Sequence, residues 1–346
     1  MSVHVFTSFT YSYLSRARVL CETLKRHHPD WTVWAVVVDE PPDGVVIDLA
    51  SLGMDRVLTP RDLLGEAAPG WLFRHDLVEA CTGIKGWALH HILGQPGLDK
   101  VIYLDPDIAV FDTLDPVVAH LDRHPILLTP HCLEPERDPA AIADNEIAAL
   151  RHGVFNLGFL AVADRGQGRA FAAWWAERME TWCEDRPEAG LFVDQKWVNL
   201  APCFFPDLMI LRDPGCNVAS WNLSQRRLSI EQDGRILVNG EPLRFFHFTK
   251  FGGPGEAMVH RYAGQGTEAL ELWRWYGEAL RRHAEPRFPE GYWHFGTYDN
   301  GTRITREDRL TYRVRPELWQ RFPDPFRTGP GRFREWLGQQ SGKLAS

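Results

Sequence analysis

Two carboxylates bracket a single residue in Asp105-Pro106-Asp107, directly after the apolar run Val101-Ile102-Tyr103-Leu104. A buried strand ending in such a pair carries both acids to the mouth of a sheet, where their oxygens can converge on one hard divalent cation. A metal-bound diphosphate is the natural partner of that arrangement. The competing reading is a strand-ending turn whose aspartates are simply solvated.

The elements that would position this pair follow from hydrophobic periodicity. Apolar, β-branched runs predict strands over 3–9, 32–38, 100–104, 108–111, 125–129, 157–163, 204–211 and 244–248, and helical spacing predicts helices over 13–28, 77–93 and 168–184. Strand, helix and strand within the first 40 residues open a mostly parallel α/β sheet, whose ligands sit at the carboxyl ends of the strands. Thr7, Ser8 and Asp39 then stand at a binding edge suited to a base and ribose. Helix capping by the hydroxyls and a solvated turn at Asp39 remain the alternative.

Composition narrows the class. With 346 residues, 44% of them hydrophobic, the chain can bury a large core, and a formal charge of -8 argues against a nucleic-acid partner. The first residues enter a strand-like pattern without a signal-peptide profile, so a mature cytoplasmic chain is expected. Six cysteines without a C-x-x-C pair read as buried free thiols. From Arg303 onward, ten Lys/Arg face five Asp/Glu, making this tail a basic appendage to an otherwise acidic chain.

Fourteen tryptophans are more than a core of this size needs. Trp174, Trp175 and Trp182 have the spacing of one buried helix face. Trp197, Trp221, Trp293 and Tyr298 lie in polar, loop-like surroundings where a ring could stack on a sugar, which points to an acceptor near Trp221 and the segment after residue 250.

The segment from Lys100 through Asp105-Pro106-Asp107 to Phe111 resembles the metal-binding D-x-D segment of GT-A glycosyltransferases, above all glycosyltransferase family 8, the glycogenin and lipopolysaccharide galactosyltransferase group. Three further stretches resemble that family in the same order. Thr82 to Trp87 is similar to its helix carrying a diphosphate-contacting base, here Lys85. Phe155-Asn156-Leu157-Gly158 is similar to its Phe-Asn-Ser-Gly strand, and Val193-Asp194-Gln195 through Asn199 to its Asp-Gln segment. Phe245-Phe246-His247 through Gly252 resembles its late His and Lys motif more loosely, since Lys250 stands where the family usually has Gly.

The resemblance spans about residues 3–255 and implies a Rossmann-like GT-A domain over 1–255, with a helical or irregular extension over 256–346 for acceptor or membrane contact. It implies a metal site of Asp105, Asp107 and His247 holding Mn²⁺ (or Mg²⁺). Thr7, Ser8, Asp39, Lys85, Asn156 and Lys250 are its donor-binding set, and Asp194 with Gln195 its catalytic pair. The implied reaction moves a hexose from a nucleotide sugar, a UDP-sugar by family expectation, to a carbohydrate, lipid-linked or protein acceptor with retention. The basic tail, with Trp319, Phe322, Phe326, Phe333 and Trp336, suggests peripheral contact with the inner face of the membrane. Two rivals stand beside this reading. One is a non-catalytic carbohydrate-binding protein on the same fold. The other is a haloacid-dehalogenase-type phosphatase, disfavoured because its D-x-D lies near the N-terminus and continues with Thr or Val where Ala109 stands here.

Overall fold

Alternating apolar residues that are buried on both sides build the centre of the molecule. The computed structural model describes residues 2–344 except Gln265 and Glu290. The strands that position the site are β1 (Val3–Phe9), β2 (Thr32–Val37), β3 (Arg56–Leu58), β4 (Lys100–Leu104), β5 (Ile108–Val110), β6 (Ile126–Pro130), β7 (Phe155–Ala163), β8 (Met209–Ile210), β9 (Val218–Ala219) and β10 (Phe245–His247). A seven-stranded sheet runs β8-β6-β7-β4-β1-β2-β3. Its strands are parallel except β7, which lies antiparallel between β4 and β6.

Side-chain alternation divides this sheet between two cores. Phe6, Val101 and Tyr103 face one side with Ile84, Ala88 and Trp175, while Val5, Ile102 and Leu104 face the other with Leu20 and Leu24. Helix α1 (Leu14–His27) covers the second face; α2 (Ala68–Arg74), α3 (Leu77–Leu93) and α4 (Gly168–Thr181) cover the first. Glycine lets α3 and α4 approach closely, since a Cβ on Gly86 would stand 3.0 Å from the Ala176 Cα. An Asp76–Glu79 capping box starts α3 and fixes the helix that carries Lys85.

A second, three-stranded sheet, β9-β10-β5, carries α5 (Pro254–Tyr262) and α6 (Glu268–Arg282). Tyr276 of α6 stacks on Phe248 at 4.0 Å, so the chain beyond residue 255 continues the packing of this sheet. Beyond it, α7 (Arg306–Arg313), α8 (Pro316–Arg321) and α9 (Phe333–Leu344) gather round Phe73 of α2. The buried Arg309 guanidinium ties them down by donating to the carbonyls of Leu72, Phe73, His75 and Phe295.

Several local expectations change. The strand expected over 204–211 shrinks to Met209–Ile210, because Phe204 ends a short helix and Pro206 has no N–H to give a ladder. The run after Asp107 does not resume the central sheet but enters the second one. Trp182 is 50% exposed at the end of α4 and is not core. Cys203 is an exposed thiol, and Cys81 and Cys132 are half-buried. Phe322 and Phe333 are buried in the appendage, with Trp319, Phe326 and Trp336 packed against them. The aromatics expected to face lipid thus face one another. No helix among the described residues is long and apolar enough to cross a membrane.

Candidate active site

The apolar residues of β4 run to the carboxyl edge of the sheet, where the chain turns. Asp105 N–H donates to the Gly158 carbonyl of β7 (2.8 Å), and Ile108 N–H donates back to the Asp105 carbonyl (3.1 Å). The turn passes β5 to β10, which pair antiparallel with His247 opposite Ile108, and Phe248 N–H caps the Asp107 carbonyl at 2.8 Å. This pairing closes a gap of 140 residues in sequence and brings His247 Nε2 to 3.0 Å from Asp107 Oδ1 and 3.6 Å from Asp105 Oδ2. One ligand atom from each of the three lies within 4.8 Å of the others.

Electrostatics couples the three. Burial opposes charge on His247, but Asp107 and then Asp105 overcome it and raise the imidazole pKa above its ordinary value. Burial likewise opposes ionisation of Asp107, yet His247 holds its carboxyl below the usual range. The other ring nitrogen, Nδ1, is 3.2 Å from Asn156 Oδ1.

Lys85, 3% exposed, reaches the same mouth from α3. Its Nζ stands 3.1 Å from Asp105 Oδ1, 3.2 Å from Asp194 Oδ2 and 3.2 Å from the Leu157 carbonyl, and 4.3 Å above the Tyr103 ring. Burial would lower the Lys85 pKa; Asp105 and Asp194 raise it instead. Asp194 is 2% exposed, and burial pushes its carboxyl up to about 6 despite the lysine. The residue before it, Val193, has φ 39, a left-handed conformation unusual for a β-branched side chain, and this strained backbone delivers Asp194 to Lys85.

A cleft of about 750 Å³ opens beside these groups. Lys85, Asp105, Asp107, Asn156, Asp194, Gln195, His247 and Lys250 all line it, as does Trp221, whose ring meets His247 edge-on at 5.4 Å. Lys250 is exposed and has φ 54, the conformation glycine adopts without steric cost. Gln195 is engaged internally, accepting from Leu157 N–H (3.1 Å) and donating to the His152 carbonyl (3.2 Å).

Thr7, Ser8 and Asp39 are buried and lie outside this lining. Ser8 donates to the Cys81 carbonyl and meets the Tyr103 hydroxyl, which itself donates to Asp105. Thr7 Oγ1 has no hydrogen-bond partner among the described residues. Asp39 accepts from the backbone N–H groups of Tyr11, Glu40 and His294 at 3.1, 3.0 and 2.8 Å, yet burial lifts its carboxyl to about 7. Trp293 Nε1 adds a bond to the Val38 carbonyl, so the segment around residue 293 lies across the end of β2.

Sequence reasoning passed over Tyr103, His131 and Asn217. Tyr103 was within reach, since it stands two positions before Asp105 and therefore shares its face of the strand. His131 and Asn217 carry no local signal; they meet Asn156 only through tertiary packing.

No family model matches the chain. It is 28% identical over 245 residues to the uncharacterized protein YfnF of Bacillus subtilis (strain 168), covering 69% of this chain and 78% of that protein. It is 24% identical over 176 residues to the uncharacterized protein YfnD of the same organism, covering 50% and 54%. Among solved structures it is similar to the galactosyltransferase LgtC in complex with donor and acceptor sugar analogs, with 17% identity, 81% of this chain and 95% of that chain covered, and a TM-score of 0.47. It is also similar to the glycosyltransferase GlyE of Streptococcus pneumoniae TIGR4, with 16% identity, 81% and 64% coverage and a TM-score of 0.44.

Proposed function

We propose that this chain is a metal-dependent glycosyltransferase. It moves a hexose from a nucleoside-diphosphate sugar, a UDP-sugar by the motif resemblance, to a glycan, lipid-linked or protein acceptor, with retention at the anomeric carbon. The observation that carries the reading is the convergence of Asp105, Asp107 and His247 at the carboxyl edge of a mostly parallel sheet, beside a cleft lined by a buried Lys–Asp pair and an indole.

The three side chains fit a divalent cation: two carboxylates and one imidazole offer mixed oxygen and nitrogen donors, which suit Mn²⁺ better than an all-oxygen set would. When bound, such an ion stabilises the negative charge that develops on a departing diphosphate. Lys85 holds Asp105 and Asp194 in place, and Lys250 at the cleft rim supplies a second positive charge for phosphate. Asp194 is the carboxylate positioned to face positive charge building at the anomeric carbon. Gln195 supports it by bracing Asn156 and β7. Trp221 offers a face for a pyranose. Thr7, Ser8 and Asp39 mark the base end of the donor, beneath the segment around Trp293.

A thermal-shift panel of nucleotide sugars with and without Mn²⁺, followed by donor hydrolysis and transfer, tests the reading. A UDP-sugar should raise the melting temperature only with the metal, and an Asp105→Ala/Asp107→Ala variant should lose both responses. Full transfer by that variant in chelator overturns it.

A further inference from the structure

We infer that this chain docks on an anionic lipid bilayer through the face beside its cleft, so that an acceptor carried on a lipid enters the cleft from the membrane; the acceptor half of this rests on the glycosyltransferase reading. The observation is where the exposed apolar side chains gather. Of the twelve large hydrophobics exposed among the described residues, six (Ile147, Leu150, Val154, Trp182, Leu200 and Phe204) lie on three adjoining segments, each 38–70% exposed. Hydrogen bonds hold those segments together. Lys196 Nζ donates to the Arg151 carbonyl (2.8 Å), Val154 N–H to Asn199 Oδ1 (3.0 Å), and Trp197 Nε1 to the Trp182 carbonyl (3.1 Å). Apolar residues scattered singly over a surface carry no meaning, but a gathering of this kind marks an interaction site.

The same turns border the site. A π-helical turn (Ile142–Ile147) runs into a short helix (Ala148–His152), where Ala148, Ala149 and His152 line the cleft while Ile147 and Leu150, three residues apart, share the outer face. Arg151 stands between the two faces and reaches the cleft rim. Acids of this stretch are engaged by the protein: Asp138 caps the first turn, Asp144 accepts from the Tyr262 hydroxyl (2.7 Å), and Glu146 accepts the Glu136 N–H. Arg151, Lys196 and Lys250 then stand about the lip of the cleft, against the exposed acid Asp185. Charge decides the occupant. A second copy would set these cations against themselves, because a two-fold contact apposes the same patch on both subunits. An anionic bilayer complements all three at once, and apolar side chains flanked by an indole suit its headgroup boundary. The formal charge of -8 does not forbid this, since exposed charges more than about 8–10 Å away are screened at physiological salt. Docked this way, the mouth of the cleft meets the membrane, where a lipid-borne acceptor presents its head group.

The test is co-sedimentation of the full chain, without metal or nucleotide sugar, with vesicles of phosphatidylcholine that contain or lack phosphatidylglycerol. The chain should pellet with the anionic vesicles and be partly released by high salt. Leu150→Glu, with Ile147→Glu as a second variant, should weaken binding by about 10-fold or more, and Arg151→Glu/Lys196→Glu by about 10-fold. Val314→Glu, at an equally exposed position in the appendage, should leave it unchanged. A polarity-sensitive fluorophore on the exposed Cys203, which lies between Leu200 and Phe204, should shift to the blue on binding. Absence of binding, loss of binding in Val314→Glu but not in Leu150→Glu, or a dimer in solution that Leu150→Glu splits overturns the inference. Transfer assays separate it from the reading it rests on: Leu150→Glu should match the wild type on a soluble sugar acceptor and fall behind it on a vesicle-borne one. Vesicle binding without any transfer removes the glycosyltransferase reading and leaves the docking face standing, whereas transfer to soluble acceptors without vesicle binding does the reverse.

Discussion

Gly158 lies directly against the ring of His247: a Cβ built on it would stand 2.4 Å from His247 Cε1 and 2.6 Å from Nδ1. β7 can therefore pass behind the imidazole only with hydrogen at this position. Gly158→Ala should displace the ring from Asp107 and Asn156, lower stability by about 1–3 kcal/mol and weaken Mn²⁺ binding by about 10-fold. Denaturant melts and metal titration of the same preparation check this; unchanged metal affinity counts against His247 as a ligand.

Lys85 neutralises two acids that have no other cation as close among the described residues. Replacing it with Met leaves Asp105 and Asp194 facing each other beneath the cleft, and such a broken pair costs about 3–5 kcal/mol. Because protonating Asp194 relieves the repulsion, the loss should shrink as the pH is lowered. Urea unfolding of Lys85→Met across the acid range reads both effects, and a pH-independent loss would contradict the ion-pair account.

His75 is buried, donates its Nδ1–H to the Trp71 carbonyl (2.7 Å), and has its pKa lowered to about 3, by burial first and by Arg313 next. The unfolded chain takes up this proton near the ordinary value of 6.5, whereas the folded chain resists until about 3. Stability from this group is thus full above 6.5 and declines as the pH falls through that window, on the order of 5 kcal/mol in total. A His75→Gln variant should show a flatter acid limb in unfolding free energy than the wild type; an equally steep limb would place the effect elsewhere.

Lys250 sits at φ 54 on the cleft rim. Lys250→Gly should remove backbone strain and raise stability by about 0.5–1 kcal/mol. The same change removes a positive charge from the cleft rim and, on the proposed donor-binding role, should raise the KM for the nucleotide sugar. Separate melting and kinetic measurements distinguish the two effects, and a stabilised variant with unaltered KM would take Lys250 out of the donor site.

Arg309 is held by four carbonyls and lies 4.8 Å from the Trp293 ring, joining the appendage to α2. Arg309→Ala should strip a charged donor from all four carbonyls, of which Leu72's keeps the His75 N–H, and loosen the chain beyond residue 290, at a cost of about 3 kcal/mol. Limited proteolysis should then cut first in that segment; unaltered protection would show that the aromatic cluster suffices.

Much of the fold is legible from local pattern because neighbouring residues report on one another. The apolar, β-branched-rich runs of β1, β2, β4 and β7 and the periodic face of α3 are local facts, and so is the placing of Asp105 at a strand end. The short edge strand Arg56–Leu58 escapes, since two of its three residues are exposed and leave no apolar run. Trp182 misleads for the opposite reason, as its spacing matches a face that ends one residue too soon.

The sequence by itself determined the mostly parallel α/β core, the acidic pair at its mouth, and an ordered set of candidate residues, because strand burial and strand ends depend on short windows. Only the tertiary structure decided which of those candidates meet. The β5–β10 pairing joins His247 to Asp107. Strain at Val193 turns Asp194 onto Lys85, and the segment around Trp293 claims Asp39. These contacts link residues far apart in the chain, and their partners are chosen by packing geometry and hydrogen-bond satisfaction, which no local pattern of residue types encodes.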